Sequence, residues 1–557
     1  MALTKSRSRM TAGAPVNVLD YGAVGDGVTD DTASFQLAAD VGGSILVPAG
    51  NYKIVGEVIF GSNTTLQVDN GVVFTMDCSG ENGRGLMFRH AVNSGIRGDF
   101  IINASATSIG TDGSKNSCIQ FGCDAGDGSP SITQYCFVSG NVKVSISGAV
   151  NVKGVYLCGW VEDTVVENVT VTGMTNYAIT AHWTSDVAAG LLPTKTWHAQ
   201  NITMRNCTIY QTPGINTLRG FTFSASGRVV LDNCYSDCQT LCYNLFVGDY
   251  GYTYVQNITQ DQAFNFVVSN SHMTGEGGFS IDCISAAVGG SPVWDGRAHK
   301  ASVLVDGLEV DANTHATGLS FGITGLDTGV FNNIKLYSEN VTHTREFFYP
   351  QLCNQIQVTN STFKHHLYMR LRTTDYVLVD GCHISKPTPT PNVTSFNITI
   401  EGVTSAIITN STIKDARVGV YSVDNFSKTI RIVNNTIENI GVAVADINYC
   451  TLLTITANTF NNFCTTTTSA VISGIYIDVG VFGFVIANNV FGANSAQYLI
   501  RANTATNGVI HGNLFQFINT GASNDAAVLR NIVGTPNVYI DPNTNILGTG
   551  VTLTYPP

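Results

Sequence analysis

From about residue 160 onward the chain alternates apolar and polar positions with a period of two, and the alternation comes in a repeated phrase. Each phrase is an alternating run, then Asn or Gly, then about four more alternating residues. Examples are "VVENVTVTG", "ITMRNCTIYQ", "VVLDNCYSD", "FVVSNSHMTG", "VLVDGLEVD", "IQVTNSTFK", "AIITNSTIK" and "FVIANNVFG". The central residue, taken as an anchor, falls at Asn168, Asn206, Asn233, Asn270, Gly307, Asn333, Asn360, Gly381, Asn410, Asn434, Ala457, Asn488 and Gly512. Period two marks strands. The position two before the anchor (Val166, Met204, Leu231, Val268, Val305, Phe331 and on) is apolar, and so is the position three after it, with Ser236 the exception (Val171, Ile209, Met273, Val310, Leu336 and on). Both columns therefore face a core. Asn and Gly tolerate the left-handed backbone of a tight turn, and stacked Asn amides are placed to ladder from one coil to the next. Anchors recur every 21 to 38 residues, the longer steps carrying inserted loops. Strands and bends at this spacing predict an all-β solenoid, a parallel β-helix. Residues 61–160 read as the first coils with irregular loops.

The register also predicts two outward columns. Two residues past the anchor they run Thr170, Thr208, Tyr235, His272, Glu309, Lys335, Thr362, His383 and Thr412; four past it, Thr172, Tyr210, Asp237, Thr274, Asp311, Tyr337, Lys364, Ser385 and Lys414. The ends are Thr, Ser and Lys, as solvated surface is. The middle gathers aromatic and charged residues, flanked by the longest repeats, whose inserted loops hold "YNLFVGDYGYTY" and "SPVWDGRAHK". Aromatic faces stack on sugar rings, so Tyr210, Tyr235, His272, Trp294, Lys335 and Tyr337 are candidate glycan contacts. Glycoside hydrolysis needs two carboxyl groups, one donating a proton and the other activating water or attacking. Glu309 is read as the acid and Asp311 or Asp237 as the base, with Glu276, Asp282 and Asp295 in or beside the long loops as alternatives. With coils about 4.8 Å apart and residues two apart on a strand about 6.6 Å apart, either pairing fits inversion better than retention. A lyase reading uses His272, Lys335, Tyr337 and Arg345 instead. The bland reading of the same carboxylates is solvated surface, or a contact between copies of the chain.

Composition narrows the partners. Of 557 residues, 44% are hydrophobic and only 12% charged, so Ser, Thr and Asn keep the surface wet, which suits carbohydrate. A net charge of −12 argues against nucleic acid, which needs a basic footprint. No apolar run reaches transmembrane length, and the basic start lacks the apolar stretch of a signal peptide. Synthesis in the cytoplasm is expected, with the fourteen cysteines reduced and buried. Cys207, Cys234 and Cys382 fall one past the anchor, a small inward site shared with Ser271, Ser361 and Ser411. "CYSDCQTLC" lacks the spacing of a zinc site. The N-x-[ST] triplets follow the repeat, with Asn making the bend and Thr starting the next strand, so glycosylation is not their cause.

Near the start stands "VNVLDYGAVGDGVTDDTASFQLA", followed by "GGSILVPAGNYKI". Gly22, Gly25 and Gly27 lack the third glycine of a dinucleotide loop, and the acidic residues lack the order of a calcium loop. No cofactor or metal is expected. "VNVLDYG" reads as a strand, and Asp30 or Thr29 as the cap of a helix over about 31–40 whose apolar side is Ala33, Phe35, Leu37 and Ala38. Such a helix closes the open end of a solenoid. This stretch closely resembles the opening motif of the pectate-lyase-like right-handed β-helix superfamily, and "MALTKSRSRMTAGAPVNVLDYGA" resembles the start of a bacteriophage tailspike. The resemblance implies a homotrimer on the virion tail, made in the host cytoplasm, that binds and cleaves bacterial capsule or O-antigen polysaccharide, by hydrolysis or, alternatively, as a lyase. A spike that binds glycan without cutting it is the non-enzyme alternative. The resemblance carries no residue-level site. The expected organisation is an attachment peptide for a tail or adaptor protein over 1–14, a cap and first coil over 15–60, the β-helix with loops over 61–535, and a tail or trimer contact over 536–557.

Overall fold

The computed structural model describes residues 15–547, apart from 81–82, 109–115, 124–130, 149–151, 174–176, 183, 186–195, 211–218, 225, 239–240, 247–263, 275–277, 285–294, 299, 313–320, 340–345, 387–395, 424, 466–472, 495, 497, 504–506, 516–536 and 542. Among the described residues the elements are strands, apart from one α-helix and one 3-10 turn. The chain divides into two compact units, one ending at Ser302 and the other beginning at Val303.

In both units a coil has three strands. In one coil of the first unit, Ile202–Arg205 leads to the bend at Asn206, Thr208–Tyr210 follows, and Arg219–Ser224 forms the third side. Each strand pairs in parallel with its counterpart in the next coil of its unit. All the anchors adopt the left-handed backbone, with φ between 48° and 74°. This single turn sets the rest of the register. The residues two before and three after the anchor are buried in both units, Ser236 included.

The anchors are held by their side chains. Asn206 donates to Asn168 (2.9 Å), and Asn233 donates to Asn206 (2.8 Å). In the second unit Asn434 donates to Asn410 (2.6 Å). Where the anchor is Gly512 the close approach forbids a side chain: a Cβ there would lie 2.2 Å from Asn488 Oδ1, and φ is 66°. A second ladder runs inside the second unit, one residue past the anchor. Asn435 donates to Asn458, Asn458 to Asn489, Asn489 to Asn513 (3.0 Å each) and Asn513 to Asn545 (3.1 Å). Each of these amides also donates to a backbone carbonyl, as Asn489 does to Ile455 (2.9 Å), and each accepts a backbone N–H of the preceding coil. The small inward site of the earlier coils thus becomes a buried, fully paired amide column.

The start differs from the expected layout. Val16–Asn17 is a two-residue strand, and Val18–Tyr21 turns as a 3-10 helix because Asn17 accepts the Leu19 N–H. The α-helix is Thr32–Val41, and Asp31 occupies the N-cap position, not Asp30 or Thr29. Asp31 does not cap with its side chain. Its buried carboxylate accepts the N–H groups of Val24 (2.7 Å) and Gly25 (3.3 Å), closing the glycine-rich loop on itself. The buried side of the helix is Phe35, Ala38 and Ala39, while Ala33 and Leu37 face solvent. Gln36 explains the rotation: it accepts the Ile59 N–H (2.8 Å) and donates to the Ile59 carbonyl (3.1 Å). Thr32 accepts the Val55 N–H (2.8 Å). Side chains one helical turn apart therefore pair with otherwise bare strand edges.

At the other end, Asn537–Ile540 and Ile546–Leu547 pair in parallel with Asn507–Ile510 and Leu514–Phe515. The β-helix continues past the boundary read at residue 535. The fourteen cysteines are all unbridged and buried. No helix among the described residues is long and apolar enough to cross a membrane.

The amide column yields a stability prediction. Replacing Asn489 by Leu removes the side-chain partner of the Ile455 carbonyl and of the Asn458 backbone N–H, and one bond each of the Asn458 and Asn513 amides, in the buried column. The expected loss is roughly 1–3 kcal/mol for each group stranded, read as a fall in the urea midpoint with the far-ultraviolet spectrum unchanged.

Candidate functional site

The first unit carries Tyr210, Tyr235, Asp237 and His272 on the outward columns read from the repeat. Thr208, Tyr235 and His272 are register partners in successive strands, as are Tyr210, Asp237 and Thr274. Three rings follow one another up the face. Tyr210 and Tyr235 have centroids 5.3 Å apart, and Tyr235 and His272 also 5.3 Å, both tilted rather than flat. Tyr210 is 46% exposed, the others half-buried. Asp237 sits beside this ladder, and burial holds its carboxyl above the usual carboxylate range. Asp282 is exposed and accepts the Ile284 N–H (3.2 Å). Asp295 is engaged by its neighbour: Arg297 Nε lies 2.9 Å from each of its oxygens. Glu276 and Trp294 lie outside the described residues, as does most of the loop "YNLFVGDYGYTY". Tyr243, read there as a loop aromatic, is a core residue that donates to the Cys234 carbonyl (2.9 Å).

In the second unit the columns again match the register. Glu309, Lys335, Thr362 and His383 are partners in turn, and so are Asp311, Tyr337, Lys364 and Ser385. Glu309 is exposed and paired with Lys335 (2.8 Å); Asp311 is exposed too. Tyr337 bonds Glu339, which pushes its hydroxyl pKa up, and Lys364 Nζ lies 4.8 Å from the Tyr337 ring centre. Lys335, Tyr337, Thr362, Lys364, His383 and Ser385 border a shallow groove of about 300 Å³. Arg345 lies outside the described residues. Asp237 belongs to the first unit, and Glu309 and Asp311 to the second.

A further set of side chains, absent from the sequence-based candidates, lies on the third strands of the second unit. Arg370 and Thr399 are register partners, then Thr399 and Tyr421, Tyr421 and Asp446, Asp446 and Tyr476, and Tyr476 and Arg501. Next to this column Arg370 donates to Glu401 (2.8 and 3.0 Å) and to Glu346 (3.0 Å). Arg372 lies 3.2 Å from Glu401 and donates to the Tyr349 hydroxyl (3.0 Å). Glu401 is almost wholly buried. Phe396 and Tyr421 stack with centroids 4.4 Å apart and planes 8° from parallel. Further along, Tyr476 donates to Asp478 (3.0 Å), Asn503 donates to the other Asp478 oxygen (3.1 Å), and Arg501 lies over the Tyr476 ring (5.1 Å). Burial, and then the charge of Asp478, push the Asp446 carboxyl up to about 7 against the pull of Arg417.

A signal for this column exists in the chain. Tyr349 precedes Asn360 by 11 residues, Arg370 precedes Gly381 by 11, Asp446 precedes Ala457 by 11, Tyr476 precedes Asn488 by 12 and Arg501 precedes Gly512 by 11. Variable loops separate the post-anchor strand from the third strand, so counting forward from an anchor loses register. Counting back from the next anchor keeps the offset within 11 to 13 residues, Tyr421 preceding Asn434 by 13.

Residues 15–240 match the family model for rhamnogalacturonase A/epimerase, pectate lyase-like. The pre-mature gene product 12 of bacteriophage phi29 shares the fold at 15% identity and a TM-score of 0.53, over 89% of this chain and 71% of that one. The mannuronan C5-epimerase AlgE5 of Azotobacter vinelandii is 51% identical over 45 residues, which are 7% of this chain and 4% of the epimerase. The preneck appendage protein of Bacillus phage PZA is 37% identical over 89 residues, 15% of this chain and 10% of that protein. The chain thus matches only a small fraction of these curated relatives' length.

Two of the charge clusters should respond differently to mutation. Lys335→Ala removes an exposed pair and is expected to change unfolding free energy by less than about 1 kcal/mol. Arg370→Ala leaves the buried Glu401 and Glu346 short of a partner and is expected to cost roughly 3 kcal/mol or more. Paired urea unfolding curves check both.

Proposed function

We propose that this chain is the glycan-binding and glycan-cleaving part of a bacteriophage spike, and that it depolymerises host capsule or O-antigen by hydrolysis. The observation that carries the reading is the outward ladder Tyr210–Tyr235–His272 beside Asp237. Adjacent coils present rings about 5 Å apart on a regular surface, matching the way a sugar chain offers successive apolar ring faces to aromatic side chains. A relative named as a mannuronan epimerase and another named as a phage appendage protein support the polysaccharide and the particle halves of the reading. Low charge and abundant Ser, Thr and Asn fit the same partner. Assembly as a homotrimer and attachment to a tail or adaptor protein through residues 1–14 complete the proposal.

Among the carboxylates first read from the sequence, Glu309 is paired with Lys335 and Asp295 with Arg297. Burial raises the Asp237 carboxyl, which is placed beside the ring ladder to hydrogen-bond a bound sugar. β-Elimination is the competing chemistry, with His272, Lys335, Tyr337 and Arg345 as its candidates.

The test is a panel of purified bacterial capsules and O-antigens, assayed for new reducing ends and for ultraviolet-absorbing unsaturation. Reducing ends without unsaturation are expected; unsaturated products would establish a lyase. Tyr235→Ala is expected to raise the KM for the cleaved polysaccharide about fivefold, one lost ring contact being worth about 1 kcal/mol. An unchanged KM would remove the ladder from the glycan path.

A further inference from the structure

We infer that Asp446, on a third strand of the second unit, and Asp478, just past the end of the next one, form the carboxyl pair that cleaves the glycosidic bond, beside Tyr421, Tyr476 and Arg501. The inference rests on the polysaccharide reading above and assigns its reacting groups.

Three features of geometry meet here. Asp446 lies between Tyr421 and Tyr476 in register, so its carboxyl emerges between two aromatic side chains on one outward row. Asp478 is two residues past Tyr476 and one past the end of the strand Ser473–Ile477, its carboxylate held beside the Tyr476 ring by the Tyr476 hydroxyl, and so sits diagonally from Asp446. One coil spacing of about 4.8 Å and two residues of about 6.6 Å place the two backbones about 8 Å apart. That lies within the roughly 6.5–9.5 Å separation at which one carboxyl protonates the leaving oxygen and the other activates a water.

The two groups also have different surroundings. Asp478 accepts from the Tyr476 hydroxyl and the Asn503 amide. The Asp446 Oδ1 is buried and, among the described residues, receives no hydrogen bond. A carboxyl so placed keeps its proton; the groups acting on it are Asp478, which raises its pKa, and Arg417, which lowers it. One protonated and one ionised carboxyl are the two states the reaction requires.

The step balances as follows. Asp478 takes a proton from water as the water oxygen bonds to the anomeric carbon. The glycosidic C–O bond breaks, and the Asp446 proton passes to the leaving oxygen. One water is consumed, Asp446 is left ionised and Asp478 protonated, and exchange with solvent resets both. Arg501, over the Tyr476 ring, and Arg417 favour a neutral or acidic glycan over a basic one.

The experiment compares the full chain with Asp446→Asn and Asp478→Asn, each checked by circular dichroism for folding, on a polysaccharide that the wild type cleaves. Each variant is expected to lose about 10²-fold or more in kcat. In the wild type, activity is expected to fall as pH rises through about 7, where the proton donor is lost. Full activity in either folded variant overturns the assignment. A second readout needs no substrate: infrared difference titration of the carboxyl stretch. One carboxyl protonated up to near-neutral pH is expected, lost in Asp446→Asn and titrating lower in Asp478→Asn. Its absence from the wild type also overturns the assignment. A wild type that cleaves no glycan, yet shows this titration, counts against the depolymerase reading and not against the pairing of the two carboxyls.

Discussion

The left-handed turn at the anchor is the constraint from which the rest follows. An L-residue with a Cβ resists positive φ, and Asn and Gly resist it least. With the turn fixed, alternation on either side leaves one choice of which side chains enter the core. Amides stacked along the turn, and from Asn435 onward a second row inside it, satisfy the polar groups that the bend leaves over. An Ala at anchor 457 keeps the same backbone, φ 57°, because its neighbours on both sides already define it.

That constraint also explains what the sequence disclosed. Asn or Gly flanked by period-two alternation made the anchors, the two inward columns and the two outward columns legible residue by residue, down to the succession Thr208, Tyr235, His272. The helix near the start was legible in place and length but not in rotation. Gln36 and Thr32 reach strand edges that only the folded coil presents, and they turn Leu37 outward. The third strands were least legible. In the first unit Ser117–Gly122 and Lys153–Cys158 are buried on both faces, so no alternation marks them. In the second unit the outward row of Arg370, Tyr421, Asp446, Tyr476 and Arg501 follows loops of unequal length, which hides its register from a forward count.

Burial separates the charged groups into two kinds. Glu309 with Lys335 is an exposed pair whose charges water already stabilises, and little chemistry is available to groups so well solvated. Glu401 with Arg370 and Arg372 is buried and fully paired, a structural cluster that pins neighbouring coils. Asp446 is neither: it is buried, close to a second carboxylate, and held near neutrality in its affinity for a proton. Such an arrangement is costly to a fold and useful to a proton donor.

The most direct test of this account is the anomeric configuration of the first reducing ends released, read by proton NMR within the first turnovers, before mutarotation equilibrates them. Two carboxyls on backbones about 8 Å apart, with room for a water between them, predict inversion. Retention would require a closer pair and a covalent intermediate, and an unsaturated product would require a base without an acid partner of this kind; either result contradicts the account.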